Sequence, residues 1–325
     1  MSRAPFPLTI FAVLVVGTAL ALCGPGTSDP VLLIANKNGA SLYVVDLASG
    51  QVRDSVSTGQ GPHEVAAAPE TRRAFVANYG DGTVSVIDVD GPRETAQWRL
   101  GTTQRPHGIA VGPNEERVYV TAEDRQAVLE LNAASGTVLR TFETGKDVTH
   151  MLALSPDAPT LYATSIGSGT LSRIDLETGD VGPHVATGEG AEGIMVSPDG
   201  EEVWVTNRAD DTISILSAAT VSVADTLSVD GFPIRVDISP DGRHALVSAP
   251  QAGELALYNA GERRLMTRLD VGSKPIGVLV PTDDRAYVAN AGSGTVSVID
   301  LNARAIVDTI SAGRGPDGMA YVPSR

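Results

Sequence analysis

Three histidines occupy matching places in the chain. His63, His107 and His150 each follow the first residue of a short apolar run, and they stand 44 and 43 residues apart. Glu192, Ile234, Ile276 and Asp317 fill the same place further on. Neutral imidazole is a good ligand for zinc, copper or iron, and three imidazoles with a carboxylate can leave one position open for water or substrate. His63, His107, His150, Glu192 and Asp317 are therefore candidate ligands of a divalent transition metal. The competing reading is structural: a histidine early in a strand can hydrogen-bond backbone or a carboxylate as a packing device.

Other chemistries lack their residues. The chain has no G-x-S-x-G elbow, no H-E-x-x-H and no Walker-type loop. Its single cysteine cannot form an internal disulfide, and without CxxC or CxxCH it offers no thiolate zinc site and no attached c-type haem. Any metal must be held by His, Asp or Glu.

Ligands so far apart in sequence act together only if a repeat stacks them side by side. Such a repeat is plain in YVANAGSGTVSVID (Tyr287 to Asp300), FVANYGDGTVSVID (Phe75 to Asp88) and VWVTNRADDTISIL (Val203 to Leu216). Each copy reads as a period-2 strand, a small polar loop, a second strand, and a third ending in a glycine such as Gly59, Gly145, Gly188 or Gly272. A fourth strand follows, anchored at Pro62, Pro106, Thr149, Ala191, Pro233, Pro275 and Pro316, with spacings of 44, 43, 42, 42, 42 and 41 residues. That period is the spacing of four-stranded propeller blades, so seven anchors predict seven blades. The chain starts with three strands that lack an inner one and ends with one inner strand, which predicts an all-β, seven-bladed β-propeller over residues 31–325, its ring closed by the C-terminal strand in the N-terminal blade.

The YVTN-type repeats, with the turns Ser197-Pro198-Asp199-Gly200 and Ser239-Pro240-Asp241-Gly242, resemble the YVTN or YncE-like family of seven-bladed β-propellers across essentially the whole of that span. The resemblance implies the fold and leaves the activity open. Similar propellers serve as cell-surface proteins, lactonases, and domains of nitrous oxide reductase and cytochrome cd1 nitrite reductase. Haem d1 is not expected, because the cytochrome cd1 propeller has eight blades.

Loops between the second and third strands emerge on the same face as the histidine column. They add Tyr79, Asp81, Glu123, Asp124, Arg125, Arg208, Asp210 and Asp211, of which Tyr79, Glu123, Arg125 and Arg208 are candidate ligand-binding residues; solvated loop charges are the alternative. In the column after the histidines glycine predominates (Gly108, Gly193, Gly277, Gly318), yet Glu64 and Arg235 stand in its place. A side chain where backbone runs close points to a specific polar contact, for Arg235 an anionic group at the channel or an acidic neighbour such as Asp237. His184 and His244 read as surface residues.

The 325 residues would fit two domains at about 150 residues each, but the repeat overrides that prior. Hydrophobic residues at 42% supply a core, while Gly 34 and Pro 20 supply the turns that many short strands need. A net charge of -15 with no basic stripe argues against nucleic acid and anionic lipid surfaces.

Residues 1–22 read as a signal peptide: Arg3 is the positive start, and Leu8 to Leu22 form an apolar run too short to span a bilayer. The run ends Leu20-Ala21-Leu22-Cys23-Gly24, which resembles a bacterial lipobox with Cys23 as the lipidated residue, although Leu22 is large where a small residue is usual. Ala19-Leu20-Ala21 offers ordinary cleavage instead, and an uncleaved anchor is the third possibility. Residues 23–30 form a tether. The expectation is an exported protein of the periplasm or outer cell envelope, touching membrane only through an N-terminal lipid. Two functions fit: a binding or scaffold protein that takes a protein or small polar ligand at the channel mouth, or a metal-dependent lactonase, lyase or oxidoreductase built on His63, His107 and His150.

Overall fold

A computed structural model describes residue 1 and residues 29–101, 104–156 and 159–325. The signal segment, Cys23 and most of the tether lie outside the described residues. Among the described residues no helix is long and apolar enough to cross a membrane.

Seven four-stranded antiparallel sheets form a ring. Blade 1 contains Val31–Asn36, Ser41–Asp46 and Gln51–Ser57, and its inner strand is Pro316–Val322 from the other end of the chain. Blades 2 to 7 follow in order, with inner strands Pro62–Ala68, Pro106–Val111, Thr149–Leu154, Ala191–Val196, Val236–Ile238 and Pro275–Leu279. The expected closure is thus present, and it pairs an edge that would otherwise be open. Among the described residues the one departure from strand and loop is a 3-10 turn at Glu123–Arg125.

The core lies between blades. Seven hydrophobic clusters each fill one interface between neighbours. Val31–Asn36 shows why such strands read as continuous apolar runs: Val31, Leu33 and Ala35 face blade 2, while Leu32 and Ile34 face blade 7. Outer strands have far less to bury; in Arg93–Arg99 only Trp98 is covered.

Polar residues of the repeat complete the packing. Asn78, Asn207 and Asn290 end second strands, and each donates to the Thr five residues on and the Ser seven residues on, tying second strand to third. Gly59 sits against Asn78, where a Cβ would come within 2.6 Å of the amide nitrogen, which accounts for the recurrent glycine after the outer strand.

Two backbone devices aim the column that carries the histidines. The residue before every anchor is left-handed: Gly61, Arg105, Val148, Gly190, Phe232, Lys274 and Gly315. In six blades the ladder then slips as the inner strand begins, so residues such as His63, His107 and His150 fall in a bulge. A bulge frees a residue from strand alternation and re-aims its side chain, here toward the axis.

Candidate metal and ligand site at the channel mouth

All seven residues of the column line one axial cavity of about 310 Å³, which therefore has a polar sector from Asp317 round to Glu192 and an apolar sector at Ile234 and Ile276. A second ring stands around the mouth: Lys37, Tyr79, Glu123 and Arg208, each the first residue after a second strand. Lys37 is absent from the candidates read from the sequence. Its place directly after Asn36, matching Tyr79 after Asn78 and Arg208 after Asn207, is the signal that identifies it. A larger groove of about 890 Å³ runs beside Pro156, Tyr162, Ala219 and Arg263, but among the described residues no unpartnered buried polar atom lines it.

The imidazoles stack. Ring centroids of His63 and His107 lie 4.4 Å apart, and those of His107 and His150 lie 3.7 Å apart. Carboxylates bracket the stack, with Asp317 Oδ2 3.1 Å from His63 Nδ1 and Glu123 Oε1 2.5 Å from His150 Nδ1. Tyr79 donates to the other oxygen of Glu123 at 2.9 Å, and Glu192 Oε1 faces His150 Nε2 at 3.6 Å. His107 is 3% exposed and its Nδ1 has no hydrogen-bond partner.

The electrostatics separate two of the rings. Burial, followed by the neighbouring charges of His150 and His63, pushes His107 well below the usual imidazole range, so it is neutral at pH 7 with a lone pair free. Burial acts on His150 in the same direction, but the Glu123 and Glu192 carboxylates outweigh it and hold its pKa up. Ligand atoms of His107, Glu123 and His150 all lie within 4.8 Å of one another. Donors around one ion with bonds near 2.0 to 2.1 Å stand roughly 3.3 to 4.1 Å apart, so small side-chain movements would close this set on a metal.

The other predicted residues divide. Glu192 faces the cavity but is engaged by Arg208 at 2.6 Å and Arg235 at 3.3 Å, and although burial opposes ionisation, His150 and the two guanidiniums hold its pKa down at about 2. His63 Nδ1 lies within ion-pair distance of Asp317 Oδ2 but outside hydrogen-bond geometry. The compact donor group therefore draws Glu123 in from the loop residues and leaves His63, Glu192 and Asp317 around it. Glu64 and Arg235, which replace glycine, bond each other at 2.7 Å; Arg235 does not pair with Asp237. Asp237 instead accepts from the backbone nitrogens of Ile238 and Val280, and burial raises its pKa to about 7.

Arg125 stays outside the cavity, its exposed guanidinium on Glu143 at 2.8 Å. Asp81, Asp210 and Asp211 accept from the backbone nitrogens of Gln60, Glu189 and Phe232, so they brace crossings between blades. His184 is exposed as expected. His244 is not: it opens the second strand of blade 6, where both faces are covered by neighbouring blades, and it is 9% exposed.

The glycine column has a plain cause. A Cβ on Gly193 would meet the Ile234 carbonyl oxygen at 2.2 Å, and one on Gly277 would meet that of Asp317 at 2.1 Å. A hydroxyl completes the contact: Thr206 accepts from the Gly193 nitrogen and donates to the Ile234 carbonyl, and Thr121 does the same for Gly108 and His150. This relay holds the His150 backbone in place.

Residues 182–287, from the outer strand of blade 4 into the second strand of blade 7, match the family model described as YncE-like beta-propeller. No curated protein matches the chain. Among solved structures, Kuenenia stuttgartiensis hydrazine synthase is similar at 22% identity and a TM-score of 0.75, over 89% of this chain and 99% of that one. A functionally unknown protein from Desulfotomaculum acetoxidans is similar at 13% identity and a TM-score of 0.79, over 91% and 99%. At these identities the likeness is one of fold.

Proposed function

We propose that this seven-bladed YncE-like β-propeller is an exported binding protein that takes a divalent transition metal at His107, Glu123 and His150 and a small ligand in the cavity above them. The observation that carries the reading is His107: a buried, neutral imidazole with an unpartnered nitrogen, next to a second imidazole and a carboxylate. An unsatisfied buried polar group costs about 1 to 3 kcal/mol, a cost that an ion bound at this nitrogen would offset. Imidazole and carboxylate donors suit zinc, copper or iron. Tyr79, Arg208 and Arg235 build the surrounding wall, with Glu64 bonded to Arg235, and export would follow from the signal segment with Cys23 as lipid anchor.

Three protein donors facing a cavity also fit a metal-dependent hydrolase, lyase or oxidoreductase, in which an open coordination position holds water or substrate. The test begins with binding. Titration calorimetry with zinc on the full-length protein should give one site, lost in His107→Ala and retained in His63→Ala. Zinc binding that survives His107→Ala overturns the assignment. Lactone hydrolysis by the zinc-loaded protein, absent in His107→Ala, would favour the enzyme. For export, Cys23→Ser should move the protein from membrane to soluble fractions; unchanged fractionation removes the anchor.

A further inference from the structure

Lys37 is the cation of this cavity that carries no carboxylate. Arg235 is committed to Glu64 and Glu192, and Arg208 to Glu192, whereas Lys37, which lines the same space and whose charge acts on Asp317 and His107, has no salt bridge among the described residues. Its backbone nitrogen donates to the Gly315 carbonyl at 2.9 Å, which places the root of the side chain at the rim. An unpaired ammonium in a partly enclosed site is a ready partner for an anion.

Charge balance points the same way. The carboxylates at the site are those of Glu64, Glu123, Glu192 and Asp317, and its fixed cations are Lys37, Arg208 and Arg235. A divalent ion bound to neutral imidazoles leaves one positive charge in excess. The remaining wall is apolar: Ile234 and Ile276 occupy two adjacent places in a ring whose other five are ionisable or imidazole. Ile276 is only half-buried, so part of its surface faces the cavity. At about 310 Å³ the space is at the small end of ligand pockets.

We infer that the ligand is a small monoanion with a short apolar tail, of the short-chain carboxylate class, its charged end between Lys37 and a metal on His107, Glu123 and His150, and its tail against Ile234 and Ile276. This rests on the metal reading above for the second anchor of the anion, but the Lys37 contact stands without it.

The probes are butyrate, butanol and butylammonium, titrated into full-length protein with and without one equivalent of zinc and followed by calorimetry and thermal shift. Butyrate should bind the zinc-loaded protein and the other two should not. Lys37→Ala should weaken butyrate roughly tenfold without weakening zinc, Lys37→Arg should restore butyrate binding, and Ile276→Ser should narrow the preference for butyrate over acetate. Lys37 is exposed, so its variants keep the fold. Equal binding of butyrate and butanol, no butyrate binding to either form of the protein, or full butyrate affinity in Lys37→Ala overturns the inference. If zinc fails to bind but butyrate binds metal-free protein in a Lys37-dependent way, the metal reading fails and the anion site stands.

Discussion

Arg235 Nη2 lies 2.7 Å from Glu64 Oε1, a bond between blades 6 and 2 made by residues 171 positions apart. Both stand where most blades carry glycine, and a second guanidinium nitrogen of Arg235 reaches Glu192. Burial works against the charge on Arg235, but Glu64, Glu192 and Asp317 more than offset it and hold the group firmly protonated. The bridge crosses the channel beside the cavity and joins blades that share no interface.

Removing one member of a buried pair strands the other's charge. Arg235→Ala should therefore cost about 3 to 5 kcal/mol in urea unfolding at pH 7. The double variant Glu64→Leu/Arg235→Leu should recover part of that loss. A single variant as stable as the parent would show that the bridge does not form in solution.

Acid should weaken this network through Glu192. Its folded pKa, about 2, lies below the ordinary 4.5, so its contribution is fully present above about pH 4.5 and is lost as pH falls toward 2. The contribution is on the order of 3 kcal/mol. Glu192→Gln should flatten the stability profile across that window, measured by chemical unfolding of metal-free protein. Parallel profiles for the two proteins would contradict the pairing.

Metal binding should expel a proton. Burial opposes the charge on His150, but Glu123 and Glu192 outweigh it and raise its pKa, which favours the protonated form, and a metal needs the neutral one. Calorimetry in buffers of different ionisation enthalpy should report up to one proton released per zinc near neutral pH, with affinity rising as pH rises. Zinc uptake without proton release would place the ion elsewhere.

Gly193→Ala should be strongly destabilising, because the new Cβ would lie 2.2 Å from the Ile234 carbonyl and must push blades 5 and 6 apart. A loss of several kcal/mol, about the cost of severe overpacking in a core, should appear as a lowered melting temperature. An unchanged melting temperature would mean that the inner strands are not so closely apposed.

The fold was legible in the chain because each blade solves the same local problem. Period-2 runs and turn glycines recur about every 42 residues, joined in three blades by the Asn-Thr-Ser tie, and a unit with two buried faces must stack on copies of itself until the ring closes. The shared place of His63, His107 and His150 was legible for the same reason: equal positions in equal blades point to one axis. What the repeat leaves open is the partner of each side chain at that axis. Glu123, the first residue after its strand, lines the cavity and joins His150, while Arg125, two residues later, turns out to Glu143. Arg235 finds Glu64 rather than the nearby Asp237 because ring closure brings distant blades face to face across a narrow channel. Sequence alone settled which residues share a ring, since that depends on local periodicity; only the closed tertiary structure decided which of them touch, since that depends on distances across the axis that no local pattern encodes.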